Sequence, residues 1–472
     1  MSDSVIGKPH VTAPEDRVPL KNKVFYGSGC FADMTFQWML MGFALTIFNM
    51  ELGYSPVIIS WVLALTRIWD AVTDPLMGSI TDNARTRFGR RRPFIGVGAI
   101  LAGVFFIAIW FIPPGLSDTM FFVFFLLGTI LFYTSFTIFS VPLLAMGYEM
   151  SPDSHERTKM MNVRIFSNST NGVFMFSWFI LLVQSSFWSD AVEGVRMVGL
   201  GFGLVMIVLG LIPAFAIQEK TKSYVEKQES VPLIKSLKAT LSCKPFVYLI
   251  GAFFAALGAY NTVSNLYQYP LRYFVLKGDS EAFGGWFSSI EASHHVATLL
   301  MLWPIAQLSK RIGKRLTCIF APFFLVLGSI AYLFCFVPDM PWLVYIPRSF
   351  MSIGICGLFV LIPSMISDVV DFDELKTGTR REGMFGAVFN WAFKLALGVA
   401  VLISGYFLEM SGFKVDLDID QPEGTIDMMI YLLGSMPIIG AIVALYCVYK
   451  YSLTDRKLRE IRAELEARRG AS

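Results

Sequence analysis

The stretch RIWDAVTDPLMGSITDNARTRFGRRRP, residues 67–93, opens inside an apolar run, SWVLALTRIWDAV, places two carboxylates there and ends in an arginine cluster. Asp70 and Asp74 are four residues apart, so on a helix they share one face, with side chains roughly 6 Å apart. An ionised carboxylate inside a bilayer costs at least ~3 kcal/mol, and two like charges side by side disfavour each other's ionisation. The pair therefore calls for a compensating cation: a shared proton, a bound sodium ion, or a basic side chain from a neighbouring helix. Arg67, one turn earlier, offers the plainer alternative of a permanent salt bridge.

The surrounding chain is built for a membrane. Of its 472 residues 55% are hydrophobic and only 16% charged, with 43 Phe, and the mean hydropathy is +0.58. That is too apolar for a soluble protein and fits a polytopic α-helical membrane protein. The first residues are polar, with no short apolar core or small-residue cleavage site, so no cleaved signal peptide is expected. Six cysteines without a CxxC pair imply neither a disulfide framework nor a metal site. With four histidines, no HExxH and no GxxxxGK[ST] loop, an enzyme of the metalloprotease or ATPase kind has no catalytic constellation. No nucleic-acid partner is implied.

Apolar runs of about 20 residues number about twelve. They divide into six within residues 24–217 and six within 244–451, flanked by polar tails at 1–23 and 452–472. The break between them, QEKTKSYVEKQESVPLIKSLKATLSC at 218–243, carries Leu233, Ile234, Leu237 and Leu241 at helical spacing. It reads as an amphipathic surface helix or as a flexible tether. With both tails on the cytoplasmic side, the inner loops hold most of the lysines and arginines, among them Arg85, Arg87, Arg90, Arg91 and Arg92. The outer loops then hold only Arg196, Lys277 and Lys414, and the positive-inside rule gives that orientation. A faint echo links the halves: FGRRR (88–92) after the second span and IGKR (312–315) after the eighth. Two six-helix bundles with a site at their interface are the architecture of alternating-access transporters.

The 67–93 stretch resembles the signature of the glycoside-pentoside-hexuronide:cation symporters, the melibiose permease family within the major facilitator superfamily. Further matches are YGSGCFAD (26–33), FTIFSVP (136–142), ERT (156–158) with Arg164 following, SDVVDFDELKTGTRREG (367–383) and Lys394. The resemblance implies twelve transmembrane helices in the major facilitator fold and a cation site built on Asp70 and Asp74, which would be the metal ligands if the ion is sodium. Thr73 stands where the family has an asparagine, and Thr137 matches a further polar position near that site. Oxygen ligands suit a hard cation, and the same carboxylates can take a proton.

The sugar side departs from the family. A first-span aspartate is replaced by Met34, with Asp33 one residue earlier, and a fourth-span aspartate is replaced by Ser140. Adjacent helical residues point about 100° apart, so Asp33 substitutes only through a rotation or local irregularity. Losing an anionic acceptor costs about 1 to 3 kcal/mol of specific hydrogen bonding. Arg164 and Lys394 match family positions that line the site, and Asn390 lies one turn from Lys394. The less negative cavity leans toward a hexuronide or a glycoside with an apolar aglycone.

Other polar residues admit two readings. Arg67 either holds the second span or takes part in coupling. Arg90 and Arg91 are topology anchors, or pair with Asp82 or Glu149 to latch helix ends in the outward-facing state. Glu291, His294 and His295 are a packed polar patch or a proton relay. Asn261, Asn265, Tyr267, Gln268 and Tyr269, with Arg272 one turn on, form an outer gate or an interfacial aromatic belt. The expectation is a cation-coupled (sodium or proton) symporter of a sugar or glycoside in the plasma membrane, the inner membrane of a bacterium. It would act as a monomer among membrane lipids, with no cofactor beyond the coupling ion. The rivals are a carrier of lysolipid-like amphiphiles and a nontransporting sensor on the same fold.

Overall fold

The computed structural model describes residues 16–151, 153–218, 240–378 and 381–470. Among them there is no strand. The helices are α1 (Leu20–Glu51, closing in a π turn Leu45–Glu51), α2 (Pro56–Asn83), α3 (Arg92–Trp110) and α4 (Asp118–Glu149). Next come α5 (Ser154–Asn171, a π turn Gly172–Phe176, then Ser177–Val183) and α6 (Ala191–Ala216). The second series is α7 (Lys244–Val275, ending in the π turn Pro270–Val275), α8 (Ser280–Ile312), α9 (Lys314–Cys335), α10 (Tyr345–Thr377), α11 (Glu382–Met410) and α12 (Thr425–Lys450). A last helix, α13 (Asp455–Gly470), follows. Residues 233, 234 and 237 of the expected surface helix lie outside the described residues, as does Arg380.

Local chemistry sets several helix starts. The hydroxyl of Ser55 accepts from the Ile58 N–H ahead of Pro56 at the first helical position of α2. The carboxylates of Asp190 and Asp279 accept from Glu193 N–H at 2.7 Å and Ala282 N–H at 2.9 Å, capping α6 and α8. Each such cap satisfies a backbone donor that the helix itself leaves unpaired. Gly313, at φ 89°, makes the turn between α8 and α9, a conformation that glycine adopts without steric cost.

Eleven of the described helices are long and apolar enough to cross a membrane. The exception among the twelve is α8, whose 33 residues span about 50 Å but carry Glu291, His294 and His295. Glu291 and His294 are buried, so α8 turns its polar stripe into protein, where hydropathy alone discounts it.

The echo between FGRRR and IGKR has a structural counterpart. At the start of α3, Arg92 donates to the carbonyls of Ala214 (2.7 Å) and Phe215 (3.0 Å) at the end of α6. At the start of α9, Arg315 donates to the carbonyls of Val448 (3.3 Å) and Tyr449 (2.6 Å) at the end of α12. In each series the third helix thus ties the sixth, satisfying carbonyls that a helix end leaves unpaired. One residue earlier, Arg91 pairs with Glu149 at the end of α4, and Lys314 pairs with Asp368 on α10. The two series meet along α2 against α11 and α5 against α8.

Candidate functional site

Asp70 and Asp74 face inward from the middle of α2. Asp70 is fully buried, whereas Asp74 is partly open. The Thr137 hydroxyl on α4 lies 3.1 Å from Asp70 Oδ1 and 3.3 Å from Asp74 Oδ1, and Thr73 Oγ1 stands 3.4 Å from Thr137 Oγ1. Four side chains thus bring oxygens to one spot. Arg67, also buried, reaches Asp70 Oδ2 at 3.3 Å and donates to the Gln37 carbonyl at 3.0 Å and the Tyr133 hydroxyl at 2.9 Å. Its guanidinium also lies over the Tyr133 ring. Tyr133 was not among the residues singled out from sequence, since an isolated tyrosine in an apolar run carries no signal.

Lys394, expected in the substrate group, is in contact with the carboxylate cluster. Its Nζ is 2.9 Å from Asp70 Oδ2 and bonds to Asp74 Oδ2 as well. Arg67 and Lys394 therefore balance Asp70 and Asp74. The bridge crosses from α11 to α2.

Spacing along the same two helices explains how the bridge forms. Gly398 lies one turn beyond Lys394, and a Cβ placed there would sit 3.2 Å from Arg67 Cβ; at Gly405 one would sit 2.7 Å from the Pro56 carbonyl oxygen. Only glycine lets the helices touch here. In the other direction the walls separate: Cβ atoms added at Gly78, one turn past Asp74, or at Gly383 and Gly386 would meet nothing within 4 Å. Asn390, between Gly386 and Lys394, is exposed. The cleft between α2 and α11 is closed on the Gly405 side of the bridge and opens toward the arginine-rich end.

Asp33 is buried in α1, with Arg164 of α5 at 3.6 Å and the Ser140 hydroxyl of α4 beside it. The helix stays regular through Ala44, so no irregularity turns Asp33 into the direction of Met34, which is half-buried. Asp33, Ser140 and Arg164 form one group in the first series of helices, and Asn390 is an exposed residue of α11 in the second series.

The closed end is held by polar contacts between the series. Glu51, ending α1, pairs with Arg272 in the π turn of α7, and Gln184 donates to the same carboxylate at 2.7 Å. The Tyr269 hydroxyl donates to Asn49 Oδ1 at 2.7 Å, and Thr46 bonds Gln268. Gln268, Tyr269 and Arg272 belong to the gate candidates named from sequence; Glu51, the partner of Arg272, was missed. Tyr267 instead turns toward Glu291. At the opposite end Arg90 and Arg91 bond Glu149, and Arg91 also lies 3.2 Å from Asp82 Oδ1. Asp82 belongs to α2, Glu149 to α4 and the two arginines to the loop before α3, so these bonds tie helix ends within the first series.

Glu291 belongs to a separate buried cluster. Arg348 of α10 donates to it at 2.6 Å and to Ser264 Oγ at 2.9 Å, and the Tyr267 hydroxyl bonds it too. His294 sits between Ser352 and Tyr260, a packed, hydrogen-bonded histidine. His295 packs on Phe176 and Gly172 of α5. Arg348 was overlooked, although a lone arginine inside YIPRSFMSIG (345–354) is the kind of intramembrane charge that demands a partner.

A family model described as MFS/sugar transport protein matches residues 25–455. The chain belongs to that family. It is an integral membrane transporter with the major facilitator fold. It is 24% identical to the isoprimeverose transporter of Lactiplantibacillus pentosus, covering 86% of this chain and 83% of that one. It is equally 24% identical to the sodium-dependent lysophosphatidylcholine symporter 1 of Mus musculus, covering 96% and 90%. Among solved structures, it superposes on the crystal structure of a D-xylose-proton symporter with TM-score 0.66, at 12% identity, over 92% of this chain and 98% of that one. That likeness speaks to the fold.

Proposed function

We propose that this transporter couples the downhill entry of a monovalent cation, Na+ or H+, to uptake of a sugar or glycoside, a hexuronide being one such substrate. The observation that carries the reading is the Lys394 bridge between α11 and the two α2 carboxylates. The ammonium occupies the place that a coupling cation would take, so the two compete for Asp70 and Asp74. Cation binding releases Lys394 toward the open cleft, where Arg164 and Asn390 line the path of the substrate. A cation without substrate leaves Lys394 uncompensated at a moving interface, and that differential cost is what couples the two ligands.

With the basic loops facing the cytoplasm, the open cleft is inward-facing and the Glu51–Arg272 end is the outer gate. Both termini are then cytoplasmic. The membrane is the plasma membrane, and in a bacterium the inner one.

A second reading, transport of a lysolipid-like amphiphile, is favoured by one observation. Arg164 stands 3.6 Å from Asp33 Oδ2, which leaves this group a single carboxylate oxygen, the buried Asp33 Oδ1, to accept from a sugar hydroxyl. Uptake of labelled glycosides, pentosides and hexuronides into proteoliposomes, with sodium and pH gradients imposed separately, tests both. Uphill accumulation of one sugar under one gradient supports symport and names the ion. Failure of every sugar, with uptake of lysolipid by the same vesicles, overturns the sugar reading in favour of the second.

A further inference from the structure

A cavity of about 390 Å³ lies at the arginine-rich end, away from the α2–α11 cleft. It is lined by Ser309, Lys310 and Arg311 at the end of α8, the Ile312–Lys314 turn, Asp368, and Leu458 with Arg459 from α13. Four cations thus surround one carboxylate, and that carboxylate is committed: Lys314 Nζ lies 2.8 Å from Asp368 Oδ2 and donates to the Ser364 carbonyl at 3.2 Å. Lys310, Arg311 and Arg459 have no hydrogen-bond or ion-pair partner among the described residues. The equivalent corner of the first series differs, because there Glu149 and Asp82 neutralise Arg90 and Arg91.

The cavity also sits at a boundary between charge and grease. Leu300 and Trp303 are 66% and 70% exposed, and they share the face of α8 that leads to Lys310, at spacings of three and seven residues. On the other wall, α13 buries Leu458, Ile461 and Leu465 and lies against α10, leaving Arg459 at the cavity. An apolar strip ending in three unneutralised cations is complementary to an amphiphile whose anionic head follows its chains. Basic pockets at helix ends are a recurrent way of holding phospholipid head groups.

We propose that this cavity is a binding site for an anionic phospholipid. Its phosphate is held by Lys310, Arg311 and Arg459, and its acyl chains lie along Leu300 and Trp303. The site is separate from the transport cleft and does not depend on which solute the protein carries.

Native mass spectrometry of the full-length protein, titrated with phosphatidylglycerol, phosphatidylcholine or inorganic phosphate, tests it. The expected result is one saturable phosphatidylglycerol adduct that phosphatidylcholine does not reproduce. In the variant Lys310→Gln, Arg311→Gln, Arg459→Gln it should be weakened by about tenfold or more, roughly 1.4 kcal/mol or more. The charge-keeping variant Lys310→Arg, Arg311→Lys, Arg459→Lys should retain it, which separates charge recognition from misfolding. Equal phosphatidylglycerol binding by the wild type and the glutamine variant overturns the proposal. So does equal binding of both lipids. Capture of inorganic phosphate without phosphatidylglycerol overturns the lipid source and leaves a soluble anion as the ligand.

Discussion

Lys394 Nζ lies 2.9 Å from Asp70 Oδ2, joining residues 324 positions apart in the sequence and on opposite sides of the transport cleft. Since Arg67 pairs with the same carboxylate oxygen, Asp70 keeps a counter-charge when Lys394 leaves, whereas Asp74 loses its only cationic partner among the described contacts. The two carboxylates are therefore unequal: Asp74 is the one left without a cationic partner when the bridge opens.

Replacing the ammonium tests this directly. In Lys394→Gln the pair keeps only Arg67, so a coupling cation is held without a competitor and is released slowly. Uphill accumulation should fall by at least about tenfold, the effect of ~1.4 kcal/mol, while substrate exchange at equal cation concentration persists. Parallel accumulation and counterflow assays in proteoliposomes check it, and normal accumulation would remove Lys394 from coupling. Asp74→Asn should also abolish accumulation while sparing some exchange.

The Glu51–Arg272 pair makes a second prediction. Removing one member of a largely buried ion pair strands the other and costs on the order of 3 to 5 kcal/mol, and about 5.5 kcal/mol carries a two-state equilibrium from 1:99 to 99:1. Glu51→Gln should therefore shift the population toward opening at the Glu51–Arg272 end. Spin labels on the α1 side of that end, near Asn49, and on the side of Phe413, whose ring packs on Tyr269 beyond the end of α11, should report longer distances than in the wild type. The double variant Glu51→Gln, Arg272→Gln should recover part of the closed population, because neither charge is then left alone. Unchanged distances in the single variant would mean that the pair does not hold the gate.

What was legible beforehand follows physical range. Asp70 and Asp74 announce themselves through local spacing in an apolar segment, and the polar stripe of α8 through three charged or titratable residues within five positions. Lys394 could be placed near the site only by resemblance, because nothing in its neighbours encodes that α11 will lie against α2. The signal for that approach was present in Gly398 and Gly405, but a glycine in a membrane helix has many uses. Glu51 was passed over since an acid at the end of a span is ordinarily solvated. Its meaning appears only when the π turn of α7 brings Arg272 to it.

A titration outside the membrane gives a third prediction. Glu156 precedes the apolar span Lys159–Val183 of α5. Hydrogen bonds from Lys159 (2.7 Å) and then Lys23 (2.8 Å), joined by the Val18 N–H at 3.2 Å, hold its carboxyl from the ordinary 4.5 down to about 2, against the opposing effect of burial. A depressed folded value means that the ionised form stabilises the fold above about pH 4.5 and that this contribution is lost as pH falls through about 2. The difference in thermal midpoint between the wild type and Glu156→Gln should be constant at neutral pH and shrink between about pH 4.5 and 2. Because the bonds tie Val18 and α1 to α5, the neutral-pH difference should correspond to about 1.5 to 3 kcal/mol, the worth of a hydrogen bond to a charged group. A difference independent of pH would show that the carboxylate charge is not what α1 and α5 share.

The closing surfaces of α2 and α11 can be tested with a methyl group. At Gly405 an added Cβ runs into Ser60 and lies 2.7 Å from the Pro56 carbonyl oxygen, whereas at Gly386 it enters open space. Backbone cannot yield as a flexible side chain does, so Gly405→Ala should force the far halves of the helices apart and disfavour the state closed at the Glu51 end. The expected cost is about 1 to 3 kcal/mol, the usual range for overpacking. Gly386→Ala lies on the same helix, about 100° round its axis from Gly405, and meets open space, so it should leave this state unharmed and serves as the control for helix propensity, where alanine exceeds glycine by about 1 kcal/mol. Transport by Gly405→Ala should fall because a closed outer end is needed for release on the inner side. Substrate reaching the cleft from the outside should still bind, so the variant should show a lower turnover with retained affinity. If Gly386→Ala were the more damaging of the two, the cleft would have to narrow during the cycle on the Gly386 side more tightly than it does at Gly405.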